Sequence, residues 1–206
     1  MPTTSRRRRA ARGALTRSKV VDAAEREVRS GGFEQMTIRN LAAKLEVAPM
    51  TLYRHVQDKD DLLDEVVDRM LARRWRPRRS QDDWIVWTAE AAERFRVFLI
   101  NEPAALHVYL NHPVDSRTAL VRMETMLGVL RNAGFDDDAA RRAYAAVHTY
   151  TIGFAALEAA RAKAKRDAES QRDGDVSVSN QLAGFTTARQ FRAGLTYLLN
   201  GVAQER

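Results

Sequence analysis

The chain has 206 residues, 45% of them apolar and 30% charged, with 34 Lys/Arg against 27 Asp/Glu and no cysteine. That length suits one large domain or a small one joined to a larger one, and the lack of thiols excludes disulfides, thiolate metal sites and cysteine nucleophiles. The positive charge is gathered at one end: residues 1–80 hold 19 Lys/Arg and 11 Asp/Glu, residues 81–206 hold 15 and 16, so the N-terminal part suits a polyanion, nucleic acid ahead of an anionic membrane surface.

The tract Arg6-Arg7-Arg8-Arg9 is followed by "AARGALTRSK" and not by an apolar run, so it does not read as a secretion signal. No charge-free stretch reaches the length of a membrane span, and a cytoplasmic protein with no membrane partner is expected. Residues 1–14 are expected to be a disordered basic arm, which either follows phosphates and the minor groove or is a solvated tail. From Thr16 to Gly32, Val20, Val21, Ala24 and Val28 keep the helical period before the Gly31-Gly32 stop. Thr37 then suits an N-cap, with Ile38, Leu41, Ala42 and Leu45 on one side of a two-turn helix and Arg39, Asn40 and Lys44 outside. Pro49 opens a third helix, because its missing N–H is not needed there and its φ is already helical. Ala48, Leu52 and Val56 share the inner side of that helix, while Met50 and Arg54 point away, flanked by Thr51 and Tyr53. Asp58 reads as the N-cap of a fourth helix whose stripe is Leu63, Val66, Val67 and Met70. Two short helices joined by a tight turn and braced on both sides make a helix-turn-helix. Its second helix can enter a major groove, where Arg54 can donate twice to a guanine edge and Met50 or Thr51 can touch a thymine methyl.

The boundary falls in "RRWRPRRSQDDW", where Pro77 breaks the pattern and Ser80 to Asp83 offer a new cap. Trp84, Trp87, Ala91, Phe95 and Phe98 then keep helical spacing, and "NEPAAL" marks a turn into another helix. Leu120, Met123, Leu127 and Leu130 form the next stripe, closed by Gly134; Asp136-Asp137-Asp138 reads as helix capping and not as a metal site. Ala143, Val147, Tyr150, Phe154 and Leu157 make a seam on a long helix. Residues 167–180 are expected to be a polar loop, and a last helix carries Phe191, Leu195, Leu198 and Val202. Gly153, Ala156 and Ala160 share one side of the long helix, and Gly194 and Gly201 stand two turns apart on the last, near Leu198. A helix-interior glycine costs about 1 kcal/mol relative to alanine, so these smooth faces are expected to meet a second copy in a four-helix contact. The large adaptable side chains Trp84, Trp87, Phe98, Tyr109, Met123, Met126 and Phe154, interspersed with His107, His112 and His148, are candidates for lining a small-molecule pocket, although core packing claims such residues too.

The stretch "FEQMTIRNLAAKLEVAPMTLYRHVQDKDDLLDEVVDRML" resembles the DNA-binding domain of the TetR family of bacterial transcriptional regulators, and the region around "LGVLRNAGF" resembles the tetracycline-repressor type of C-terminal domain. The resemblance implies an all-α protein: a helix-turn-helix domain over 15–76, joined through a linker helix to a larger ligand-binding and dimerisation domain over 81–206. It implies that Thr37, Tyr53, His55 and Lys59 hold phosphates, that Arg39 matches a base-reading arginine of the family's namesake, and that Pro49, Met50, Thr51 and Arg54 face the groove. Arg54 stands where that namesake has an aromatic residue, so the operator sequence does not carry over. Tyr53 and His55 also admit a plain packing role. The partners implied are a double-stranded DNA operator, a small-molecule effector and a second copy of the chain. The alternative is a ligand-independent basic protein acting on DNA architecture. No enzyme is expected: there is no Gly-rich phosphate loop, nucleophile elbow or acidic dyad. No cofactor or metal is expected either, since His107 and His112 would stand roughly 140° apart on a helix of 3.6 residues per turn.

Overall fold

The computed structural model describes residues 15–32, 35–74, 83–111, 117–171 and 184–206. The basic arm, Pro77, Ser80 and His112 lie outside these residues, as do residues 172–180 of the expected loop. Every described element is helical, as the sequence pattern predicts, and the chain divides into two compact units, residues 1–66 and 67–206. Among the described residues no helix is long and apolar enough to cross a membrane.

The first unit holds α1 (Arg17–Gly31), α2 (Ile38–Lys44), α3 (Pro49–Leu52) and the start of α4 (Lys59–Arg74), whose later residues belong to the second unit. Its helix starts are written in side chains: Thr16 accepts from the Lys19 N–H, Thr37 from the Asn40 N–H at 3.1 Å, and Asp58 from the Asp61 N–H at 2.8 Å. Val20, Val21, Ala24, Leu41, Leu52, Val56, Leu62 and Leu63 are buried at 2% exposure or less. Ala48, expected on the inner side, is exposed. It is the N-cap of α3, with extended φ −69° and ψ 143°, so the helical period does not yet apply to it. The third helix is also shorter than the pattern suggests: one turn, after which residues 53–55 continue as turns in which the Leu52 carbonyl accepts from both His55 and Val56.

The second unit packs α5 (Trp84–Asn101), α6 (Pro103–Asn111), α7 (Arg117–Asn132) and α9 (Ala188–Val202) against the 35-residue α8 (Asp137–Gln171). Asp83 caps α5 by accepting from the Ile85 and Val86 N–H groups, and Asp136 caps α8 by accepting from Ala139 at 2.7 Å. Gly134 turns the chain between α7 and α8 at φ +98°, a left-handed conformation that favours glycine. Trp84, Trp87, Leu127, Leu130, Val147, Phe191 and Leu195 lie in one core; residues 1–66 contain no tryptophan. Three expectations shift. Leu120 is 50% exposed because α7 turns Ala119, Arg122 and Met126 inward instead. Leu157 is 55% exposed, beyond the packed part of its seam. Residues 167–171 continue α8 rather than opening the loop.

Candidate nucleic-acid interface and ligand cavity

In the first unit the residues singled out by the sequence lie around the α2–α3 turn. Thr37, Arg39, Pro49, Met50, Tyr53 and Arg54 are exposed, Met50 at 74% and Tyr53 at 49%, while Thr51, His55 and Lys59 are half-buried. An apolar side chain as open as Met50 gains nothing from the core, so packing does not account for it. Charge separates this region further. Arg17, Arg29 and Lys44 each meet a carboxylate, whereas no acid among the described residues pairs with Arg39 or Arg54.

The turn is held from behind. Arg17 on α1 donates to the His55 carbonyl, to Glu65 at 2.5 Å and to Asp61 at 3.0 Å, and Asp61 also accepts from the Gln57 N–H at 2.9 Å. Burial works against the Asp61 charge, but the Gln57 N–H and the Arg17 guanidinium outweigh it and hold the carboxyl below its ordinary value. The backbone around His55 is thereby fixed to α1 and α4. Sequence reading missed Arg17 and this brace; the acid at Asp61, in the first turn of a helix beside Asp60, reads from sequence only as a dipole partner.

In the second unit α5, α7 and α8 border a small cavity of about 30 Å³, partly open to solvent. Its lining is Trp87, Ala91, Ala92 and Phe95 from α5, Arg122 and Met126 from α7, and Tyr144, Val147, His148 and Thr151 from α8. Of the sequence candidates, Trp87, Met126 and His148 stand in this wall. Tyr109 stands behind it, accepting from Arg122 at 2.8 Å. The others are elsewhere: Trp84 meets the Phe135 ring edge-on at 5.0 Å, Phe154 packs on Tyr150 and Phe191, and Met123 packs against the core. Phe98 borders a separate depression with Leu71, Arg74 and Val97, and His107 lies beside Asn111 on α6. Arg122, Phe95, Tyr144 and Thr151 were not foreseen. The signal for Arg122 was its place between Ala119 and Met126 on the inward side of α7; for Tyr144 and Thr151 it was a second i, i+3, i+4, i+7 stripe through Val147 and His148.

His148 is sandwiched between the Tyr144 ring at 5.2 Å and the Phe95 ring at 5.7 Å, and its Nε2 is buried with no hydrogen-bond partner among the described residues. Burial, with the Arg122 charge adding to it, lowers its pKa from 6.5 to about 4, so it is neutral at physiological pH.

The smooth faces separate into two kinds. A side chain added at Gly153 or Gly201 would meet nothing within 4 Å, and both are exposed, close in sequence to the exposed Leu157 and Tyr197. Ala160 is exposed as well, and Ala156 and Leu198 are half-buried. Gly194 differs: a Cβ there would come within 2.2 Å of the Tyr150 hydroxyl, which donates to the Phe191 carbonyl at 3.0 Å. Its missing side chain is accounted for inside the unit.

Residues 20–66 match the profile of the bacterial regulatory proteins of the tetR family, and residues 76–206 that of the tetracyclin repressor-like C-terminal domain. An HTH-type transcriptional regulator of Saccharopolyspora erythraea is 34% identical over 148 residues, 70% of this chain and 61% of that protein. The chain spans 60–64% of the length of the first curated relatives it matches. Among solved structures, a TetR variant from Acinetobacter baumannii AYE in complex with minocycline is similar at 26% identity and a TM-score of 0.73, covering 93% of this chain and 95% of that one. BioQ bound to its natural double-stranded DNA operator is similar at 25% identity and 0.65, covering 93% and 99%.

Proposed function

Since the chain belongs to the TetR family of bacterial regulatory proteins, we propose that it is a ligand-responsive transcriptional repressor that binds a palindromic operator as a homodimer and releases it when a small molecule enters the cavity. It acts in the bacterial cytoplasm, by binding and not by catalysis. Residues 15–76 bind DNA, preceded by the basic arm of 1–14, and residues 81–206 bind the effector and the second subunit. One observation carries the reading: flanking the α2–α3 turn, two arginines with no acidic partner among the described residues, an open methionine and an open tyrosine stand on a backbone braced from within. Relatives solved with a DNA operator and with minocycline support the two halves of this function. In it Thr37, Tyr53, His55 and Lys59 hold phosphates, while Arg39, Pro49, Met50, Thr51 and Arg54 face the groove. The dimer uses the α8 and α9 faces around Gly153, Ala156, Ala160, Leu198 and Gly201.

The test is a footprint of the full chain on the intergenic DNA beside its own gene. Protection of one short palindrome, with half-sites about one helical turn apart, is the expected result. Uniform coverage without a defined site would overturn the repressor and leave the architectural reading.

A further inference from the structure

Two arginines of the second unit are almost fully buried, and they are compensated in different ways. Arg96, 3% exposed, bonds Glu93 at 3.0 Å and Glu158 at 2.5 Å, so its charge is neutralised where it stands. Arg122, 6% exposed, has no such partner: among the described residues it donates to the Tyr109 hydroxyl at 2.8 Å and lies over the Phe95 ring at 4.4 Å and the Tyr109 ring at 5.4 Å. Burial pushes the Tyr109 phenol above its ordinary value, so the group accepting from Arg122 is uncharged at neutral pH. Ring faces attract a cation but do not cancel its charge. A permanent cation taken out of water without a counter-charge is costly, and a carboxylate is the group whose geometry matches its fork of N–H donors. Arg122 stands in the cavity wall with a neutral His148, whose Nε2 has no hydrogen-bond partner among the described residues, and with the Thr151 hydroxyl, which donates to the Val147 carbonyl at 2.7 Å and keeps lone pairs to accept with. The remaining lining is apolar or aromatic.

We propose that this cavity takes the anionic group of an organic acid, whose carboxylate is held by Arg122 while its apolar part extends past Trp87 toward the open side. The assignment rests on reading the cavity as the effector site, and gives that effector a chemical class. A neutral ligand of the same shape leaves the buried cation as it was; a cationic one is repelled by it. The anion supplies a direct counter-charge that no described residue bonds to Arg122, so binding gains the charge-assisted hydrogen bond and lowers the electrostatic penalty together.

Two dyes with nearly the same ring skeleton separate the possibilities: anilinonaphthalene sulfonate, an anion, and phenylnaphthylamine, its neutral counterpart. Each is titrated into the full chain and read by energy transfer from tryptophan. The unmodified protein is expected to bind the sulfonate at least tenfold more tightly. Arg122→Met, which replaces the buried cation by an apolar chain of similar length, is expected to lower sulfonate affinity about 10–100-fold and to change amine affinity less than about threefold. If that variant fails to fold, Arg122→Lys keeps the charge but loses the fork, and about a tenfold loss confined to the sulfonate is the matching result. An unchanged ratio of the two affinities in the folded variant overturns the anion assignment. Ala91→Phe, which fills the cavity, tells which reading has failed. If it weakens both dyes while Arg122 substitution shifts neither, the cavity stands and only the anion is wrong. If it weakens neither, the cavity is not a ligand site and both readings fall.

Discussion

Glu46 holds φ at +55° in the turn between α2 and α3, a left-handed conformation that its Cβ disfavours. Glycine at this position should therefore be more stable than alanine by about 1 kcal/mol, a comparison that removes the carboxylate from both variants and is read from urea midpoints. Arg54 and Lys59 belong to different kinds of contact in the proposed complex. Arg54→Ala should lose about 1–3 kcal/mol on the operator and relax preference at one base pair per half-site. Lys59→Ala should weaken all sequences alike and reduce the salt slope by about one unit. Equal losses for Arg54→Ala on operator and random DNA would remove its base-reading role. His148 sets a pH dependence of its own. Its pKa in the folded chain, about 4, lies below 6.5, so between those values the unfolded chain binds the extra proton and stability falls as the solution is acidified. The whole effect is on the order of 3 kcal/mol. His148→Phe should remove most of it, measured as the difference in urea midpoint between pH 7 and pH 4.5 with the unsubstituted chain alongside.

At the scale of helices, α8 and α9 meet through Tyr150, Phe154 and Phe191, and Gly194 lets the Tyr150 hydroxyl reach the Phe191 carbonyl. Gly194→Ala should cost about 1–3 kcal/mol by overpacking, and adding Tyr150→Phe should recover part of it, because the clashing oxygen is gone. Gly153 and Gly201 have open space instead, so Gly153→Leu with Gly201→Leu should leave the isolated fold intact and split the proposed dimer. Sedimentation showing an intact dimer would move the interface elsewhere. These same helices show how far the pattern of residues reaches. Capping is local, so Thr37, Asp58, Asp83 and Asp136 announced their helices from sequence alone, and so did the apolar stripes of α1 and α2. A stripe names a buried side but not its neighbours. Helix α8 touches α5, α6, α7 and α9, so following one seam through Val147 and Phe154 overlooked the second, which carries Tyr144 and Thr151 to the cavity. Arg122 was hidden for the opposite reason: hydrophobicity marks a buried position, and an arginine there reads as solvent-facing.

For the molecule as a whole, the proposed release of DNA requires that effector and operator oppose each other through a coupling free energy, typically about 1–3 kcal/mol. It must be reciprocal. A dye or effector that weakens the operator by some factor should itself be bound more weakly by that factor in the presence of saturating operator, measured by titration in both orders. A ligand that binds the free chain and leaves operator affinity unchanged would sever the cavity from DNA binding. The placement of the indoles makes a related quantity visible without any label. Trp75, Trp84 and Trp87 all belong to residues 67–206, and residues 1–66 have none. Selectively excited tryptophan fluorescence is therefore a spectroscopic report on residues 67–206 alone, whereas far-ultraviolet circular dichroism sums the helices of both units. Superimposable melting curves would make the chain one cooperative system; an early phase present only in the dichroism would be the first unit melting by itself. In that second case an added operator should raise the midpoint of the early phase, and a cavity ligand the fluorescence midpoint. One cuvette would then show which unit each partner stabilises.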